Sequence, residues 1–273
     1  MIIQKLIGFK INSVSLFSSK LAGRMALFLF TKPLKGKINE EQSDFLDSAF
    51  HEELNHQGTP IMTYRWLGNK KTVLLVHGWE SNSARWRAII PELQAKGHTV
   101  IALDAPAHGR SGSRRFNALL YAEFINEATK RFHPEIIVGH SVGGMASVYY
   151  LHKYQPPSVK KVVLLGAPSE FSDIISRYFL MMGYNKKTIN AIKKRIKDKY
   201  GIEVDDFSSV KHLKTILSEG LIIHDKTDPI IPYEDAVLIN SNFKNSTLIT
   251  TEGFGHSLYD ESVSNHIYHF IES

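Results

Sequence analysis

The chain has 273 residues, 43% of them hydrophobic and 22% charged, so it can bury a substantial core and lacks the composition of a disordered chain. Its 33 Lys and Arg against 27 Asp and Glu leave a formal charge of +6, too small an excess over this length to indicate nucleic-acid binding. The absence of cysteine excludes disulfides, thiolate catalysis and thiolate metal sites, and fits a cytoplasmic location.

Residues 1–31 read as helical. Leu6, Ile7, Val14, Leu21, Met25, Phe28 and Leu29 recur at three- and four-residue steps, as the packed face of one helix would. Lys5, Lys10, Lys20 and Arg24 interrupt the apolar run, so it is neither the unbroken core of a secretory signal nor a membrane span of roughly 18 apolar residues. Such a segment either packs on the domain or a partner, or lies on a membrane surface as an amphipathic helix. Its charges are few and not sharply segregated, which puts packing or partner contact ahead. Pro33 and Gly36 end it, and residues 37–50 read as a short helix with Asn39 as N-cap.

From residue 60 the pattern changes. Short aliphatic runs at Ile61–Trp66, Thr72–Val76, His98–Leu103, Glu135–Val138, Lys161–Leu165, Leu221–His224 and Thr247–Thr250 alternate with helical stretches near 83–96 and 117–132 and from Val142. Continuous apolar runs of this kind are strands buried on both faces, and their alternation with helices predicts a mostly parallel sheet flanked by helices. Between Gly166 and Leu221 there is no strand signal but two or three helical segments, at 169–182, 186–199 and 207–218. The expected organisation is a helical extension and lead-in over 1–59 and an α/β domain over 60–273, with 168–219 inserted as a helical cap. Phe171, Ile174, Ile175, Tyr178, Phe179, Met181 and Met182 give the first cap helix an apolar face, and Phe179 and Met182 are expected to wall a pocket for short to medium acyl groups.

The chemistry centres on Gly139-His140-Ser141-Val142-Gly143-Gly144, a G-x-S-x-G run between a buried strand and a helix. A serine there sits on a tight, strained turn, with flanking glycines where a Cβ would clash. A serine hydroxyl needs a base, and the base needs an acid to orient it. Of thirteen histidines, His256 lies downstream in Gly253-Phe254-Gly255-His256, at the end of the last strand. Two aspartates follow the preceding strand. Asp228, in Asp228-Pro229-Ile230-Ile231-Pro232, is favoured as the acid, and Asp225 is the alternative, able instead to cap the loop through backbone amides. The oxyanion donors expected are the amide of Val142 and that of Trp79, in His77-Gly78-Trp79. Trp79 and His140 are also expected to face the substrate.

The pieces HGW at 77–79, LDAPAHGRSG at 103–112, GHSVGG at 139–144, DPIIP at 228–232 and GFGH at 253–256 together resemble the α/β-hydrolase superfamily over residues 60–273. Within it the chain is similar to bacterial serine esterase and lipase-type hydrolases with a helical cap, and KLAGRMALFLFTKP is similar to an N-terminal extension seen in that group. The resemblance implies an α/β-hydrolase fold and structural roles for Asp104 and Arg110 in the loop beneath the site. The chain departs from the family at Asp225, where glycine is common.

The function expected is hydrolysis of a small-molecule carboxylic ester through an acyl-enzyme on Ser141. An acyltransferase, a thioesterase, a C–C bond hydrolase or a non-catalytic small-molecule-binding member of the fold are the alternatives. No cofactor is expected. The glycine-rich run lacks the Lys-Ser/Thr ending of a phosphate loop. His266 and His269 share a helix face without a third ligand, so no metal is expected. The basic run Lys193–Lys199 reads as a solvated helix face. Oligomeric state is not legible.

Overall fold

A computed structural model describes residues 2–273, and Met1 lies outside it. By contacts the chain divides into two compact units, residues 1–32 with 170–208, and residues 33–169 with 209–273.

The larger unit is built on one eight-stranded sheet. Its strands are β1 (Phe50–His56), β2 (Thr59–Trp66), β3 (Thr72–Val76), β4 (Thr99–Leu103), β5 (Ile136–His140), β6 (Lys161–Leu165), β7 (Glu219–Asp225) and β8 (Ser246–Thr251), in the order β1-β2-β4-β3-β5-β6-β7-β8. The pairs β1/β2 and β2/β4 are antiparallel and every later pair is parallel. Each expected strand is present. β1 carries no strand signal in the sequence, because Phe50–His56 is a polar, largely exposed edge strand with no apolar alternation to read. A two-residue turn at Gln57-Gly58, both with positive φ, folds it back on β2.

Alternate residues of the parallel strands feed two separate cores. Leu74, Val76, Ile137, Val162 and Leu164 pack on one face against the helices Ala118–Phe132, Val142–Tyr154 and Tyr233–Asn242. Val73, Leu75, Val138, Val163 and Leu165 pack on the other against Ser83–Ala88, Ile90–Ala95 and the C-terminal helix Glu261–Glu272. Covering both faces is what makes the strands continuously apolar. The stretch expected as one helix over 83–96 is a 3₁₀ turn and then an α-helix, with Pro91 in the first turn of the second. Asn39 caps the helix Glu40–Leu46 with a full capping box to Gln42.

The smaller unit consists of four helices, α1 (Ile2–Phe17), α2 (Ser19–Phe30), α3 (Phe171–Met182) and α4 (Lys186–Tyr200), with a 3₁₀ turn at Val204–Asp206. The N-terminal segment is two helices, not one, because Ser18 adopts an extended conformation and caps α2 through its hydroxyl. The inward face of this pair also differs from the one expected. Residues at the interface are mostly small: Gly8 and Ser15 of α1 and Ala22, Gly23 and Ala26 of α2 are buried, joined by Ile11 and Leu27. The large residues whose spacing suggested a packed face, Leu6, Ile7, Leu21, Met25, Phe28 and Leu29, are exposed. Small residues let the helix backbones approach closely, and that contact does not require a large apolar side chain.

Gly8 shows how close the approach is. A Cβ on it would lie 1.7 Å from the Met182 carbonyl oxygen at the end of α3. Gly8→Ala gains about 1 kcal/mol of helix propensity but must push α1 off α3, for a net loss of roughly 1–3 kcal/mol. Faster amide hydrogen exchange across 171–200 is the expected sign. A variant with unchanged protection in that range would contradict the packing.

Candidate active site

β5 delivers Ser141 to a tight strand-to-helix turn. Ser141 has φ 54° and ψ −130°, a conformation L-residues rarely adopt, and the helix Val142–Tyr154 starts immediately after it. The turn closes only because its neighbours lack side chains. A Cβ on Gly143 would lie 2.4 Å from the His77 carbonyl oxygen, and one on Gly139 would lie 2.7 Å from Gly144 Cα. The Ser141 amide donates to the Leu165 carbonyl of β6 at 2.8 Å, which fixes the turn to the next strand.

The three residues picked from the sequence meet in one hydrogen-bonded line. His256 Nδ1 is 2.7 Å from Asp228 Oδ2, and His256 Nε2 is 3.0 Å from Ser141 Oγ. A carboxylate only accepts, so Nδ1 carries the proton and the Nε2 lone pair faces the serine hydroxyl. Asp228 Oδ1 accepts from the amides of Ile230 and Ile231 at 2.8 and 3.0 Å. Burial pushes the Asp228 carboxyl up, but His256 and the Ile231 and Ile230 amides outweigh it, and its pKa falls below the ordinary carboxylate value. His224, fully buried, donates from Nε2 to the Ile231 carbonyl at 2.9 Å and steadies the same loop.

Asp225 takes the capping role weighed for it. Its Oδ1 accepts from the Thr227 amide and hydroxyl at 2.9 and 2.6 Å, and its Oδ2 from the Thr251 hydroxyl and Phe254 amide at 2.8 and 2.9 Å. None of these bonds goes to His256, and they join the loop carrying Asp228 to the loop carrying His256. Burial raises this carboxyl as well, but the Thr227 hydroxyl and the Phe254 and Thr227 amides hold it far below the usual range.

The remaining predicted residues are placed as follows. Gly78 sits against the serine: a Cβ on it would be 2.9 Å from both Ser141 Cβ and His140 Nδ1. Trp79 follows it, about one-third exposed, with its ring edge-to-face against His108 and Phe116. Among the described residues no protein group accepts a hydrogen bond from the Trp79 or Val142 amide. His140 is corrected from a substrate-facing residue to a positioning one. Its side chain is buried and donates from Nε2 to the His256 carbonyl at 2.8 Å, and burial, then Arg85 and His256, hold its pKa well below the ordinary histidine value. Phe179 and Met182 are corrected too. Both are buried in the four-helix core with Ile11, Ala26, Leu27, Ile175 and Ile192. The acyl-length preference expected from them therefore has no carrier there.

Asp104 carries the structural role implied for it. Fully buried, it accepts from Tyr64, from the amide and hydroxyl of Ser83, and from the Arg110 amide, while the Arg110 guanidinium bonds Asp47 and Ser43. Sequence reasoning missed Arg85. Its guanidinium donates to the Ser257 carbonyl at 2.8 Å and stacks between Trp86 and Tyr259, bracing the turn that carries His256. An arginine in a 3₁₀ turn, 171 residues upstream of His256, carries no local sign of that contact. Beside it a cleft of about 950 Å³ is lined by Arg85, Trp86, Tyr259 and Tyr268, and not by Ser141. Among the described residues no group of three or more His, Asp or Glu side chains is arranged to hold a metal.

Two family models match adjoining stretches of the chain, one described as alpha/beta hydrolase fold over residues 71–204 and one as TAP-like protein over 205–273. The chain belongs to the α/β-hydrolase superfamily. It is 22% identical over 237 residues to the AB hydrolase superfamily protein YisY of Bacillus subtilis, covering 71% of this chain and 88% of that one. It is 26% identical over 249 residues to the uncharacterized hydrolase YugF of the same organism, covering 74% and 90%. Among solved structures, an esterase from Exiguobacterium antarcticum superposes with a TM-score of 0.64 at 19% identity, over 82% of this chain and all of that one, which shows a shared fold.

The depressed pKa of Asp225 carries a pH signature. A carboxyl whose folded pKa lies below its unfolded value of about 3.9 stabilises fully above that value, and the contribution is lost as pH falls through the folded pKa. Asp225→Asn should therefore cost roughly 2 kcal/mol at neutral pH. In denaturant titrations the gap from the wild type should be constant above about pH 5 and shrink below about pH 4. A gap that does not change with pH would show that the charge of Asp225 contributes nothing.

Proposed function

We propose that the protein is a serine hydrolase that cleaves a carboxylic ester through an acyl-enzyme, with Ser141 as nucleophile, His256 as base and Asp228 as orienting acid. The observation that carries this is the unbroken line from Ser141 Oγ through His256 to Asp228, with the serine on a strained turn at a helix N-terminus. Superfamily membership and the fold shared with an esterase support it.

In the proposed reaction His256 Nε2 takes the Ser141 hydroxyl proton as Oγ attacks the ester carbonyl. The new C–O bond turns the carbonyl oxygen into an oxyanion. The Trp79 and Val142 amides are the proposed donors to it, aided by the helix N-terminus. As the C–O bond to the alcohol breaks, His256 returns the proton to the leaving alkoxide. A water then gives a proton to His256 as it attacks the acyl-serine, and as the bond from the acyl carbon to Oγ breaks His256 returns that proton to Oγ, releasing the acid and free Ser141. Throughout, Asp228 holds the imidazole in the tautomer that presents Nε2 to the serine, and stabilises the transient imidazolium.

A fluorophosphonate probe should label the wild type on Ser141, and Ser141→Ala should abolish labelling. With p-nitrophenyl esters, Ser141→Ala should lower kcat by a factor on the order of 10⁴ to 10⁶, and Asp228→Asn by about 10⁴ through the wrong tautomer. Asp225→Asn, which weakens the tie between the two loops but keeps both the Asp228 carboxylate and the His256 imidazole, should cost less activity than Asp228→Asn. Labelling that survives in Ser141→Ala, or the reverse ranking of the two aspartates, would refute the assignment.

A further inference from the structure

Large apolar side chains are exposed unevenly along the chain. Among the described residues twenty-two are solvent-exposed, and eleven of them lie between Ile2 and Leu29. On α1 they are ordered. The helix turns Gly8, Ile11 and Ser15 inward, and at about 100° per residue the opposite side carries Ile2, Leu6, Phe9, Leu16 and Phe17. These five are 79%, 57%, 69%, 67% and 93% exposed. By the same geometry Lys5 borders the stripe on one side and Lys10 on the other. On α2, Leu21 and Met25 are exposed beside Lys20 and Arg24. Residues 1–31 show no such segregation as a single helix with its large residues inward. The break at Ser18 and the small-residue packing turn them outward instead.

Charge identifies what the stripe meets. Residues 1–39 contain seven basic side chains, Lys5, Lys10, Lys20, Arg24, Lys32, Lys35 and Lys37, and no Asp or Glu. A second copy of the chain would bring the same positive charge to the contact and be repelled. An anionic surface would be attracted. The 16 residues of α1 span about 24 Å, less than a bilayer's hydrocarbon core of about 30 Å, and among the described residues no helix is long and apolar enough to cross a membrane.

We propose that α1, with the exposed residues of α2, docks the protein on an anionic lipid bilayer, the helix lying in the plane of the interface. Ile2, Leu6, Phe9, Leu16 and Phe17 enter the acyl boundary. Lys5 and Lys10 lay their methylene stems along the apolar edge and keep their ammonium groups among the lipid phosphates. The face opposite, through Gly8, Ile11 and Ser15, stays packed within the four-helix unit.

The test is flotation of the full-length protein with vesicles of phosphatidylcholine alone or mixed with phosphatidylglycerol. The wild type should float with the anionic vesicles, and less so in high salt. Leu6→Asp/Phe9→Asp should lower the partition coefficient by about 100-fold or more. Lys5→Gln/Lys10→Gln should lower it about tenfold or more on anionic vesicles only. Unchanged thermal unfolding and fluorophosphonate labelling show that the variants are folded. Phe17→Asp, at a 93% exposed position, carries the test if the double variant unfolds, with an expected loss of about tenfold. A wild type that does not float, or variants that unfold normally and float as well as the wild type, would overturn the proposal. So would a dimer that Phe17→Asp splits without any vesicle binding, since the occupant would then be a second copy.

Discussion

Asp225 is the interaction on which the site geometry depends. Acid and base arrive on different loops, after β7 and after β8, and nothing in the sheet register alone fixes the distance between them. The Asp225 carboxylate accepts from Thr227 in the first loop, from Thr251 at the end of β8 and from Phe254 in the second loop, and so ties both loops to the end of β7. That tie places Asp228 Oδ2 at 2.7 Å from His256 Nδ1. His140 and Arg85 hold the histidine turn from other directions, through the His256 and Ser257 carbonyls. The imidazole is thus oriented by one carboxylate, and the backbone of the turn that carries it is held by three side chains, at Phe254, His256 and Ser257. This is what keeps the histidine aimed at the serine rather than turned to solvent.

The serine side relies on exclusion of atoms rather than on bonds. Gly139, Gly143 and Gly78 each stand where a Cβ would meet backbone or the neighbouring site residues at 2.9 Å or closer. The positive φ of Ser141 costs of order 1–3 kcal/mol, and the parallel strands on either side hold the chain in that turn. The result is a hydroxyl aimed out of the sheet edge beside a helix N-terminus, on the side where His256 waits.

Most of the sheet was legible because its strands are buried on both faces and read as unbroken apolar runs bounded by Gly, Asp or Pro. The serine turn, the histidine and both aspartates were legible because the chemistry demands particular residue types at strand ends. What escaped has physical causes. β1 is a polar edge strand with no core to pattern it. Arg85 reaches Ser257 through a contact between residues 172 positions apart, which no local pattern announces. The N-terminal helices misled because periodicity reports a face and does not say whether that face is inward. There, glycine and alanine make the packed contact, and the large residues face out. Phe179 and Met182 erred in the opposite sense, since the helix partners that bury them come from the far end of the sequence.

The central claim is that the acyl group passes through Ser141. Intact-protein mass spectrometry after rapid acid quench of turnover on a p-nitrophenyl ester tests it most directly, with peptide mapping of any species formed. The account predicts one added acyl group per chain, located on the peptide containing Ser141 and formed as fast as p-nitrophenol is released. Turnover with an acyl group on any other side chain, or hydrolysis that proceeds while His256→Ala accumulates acyl-enzyme no more slowly than the wild type, would contradict it.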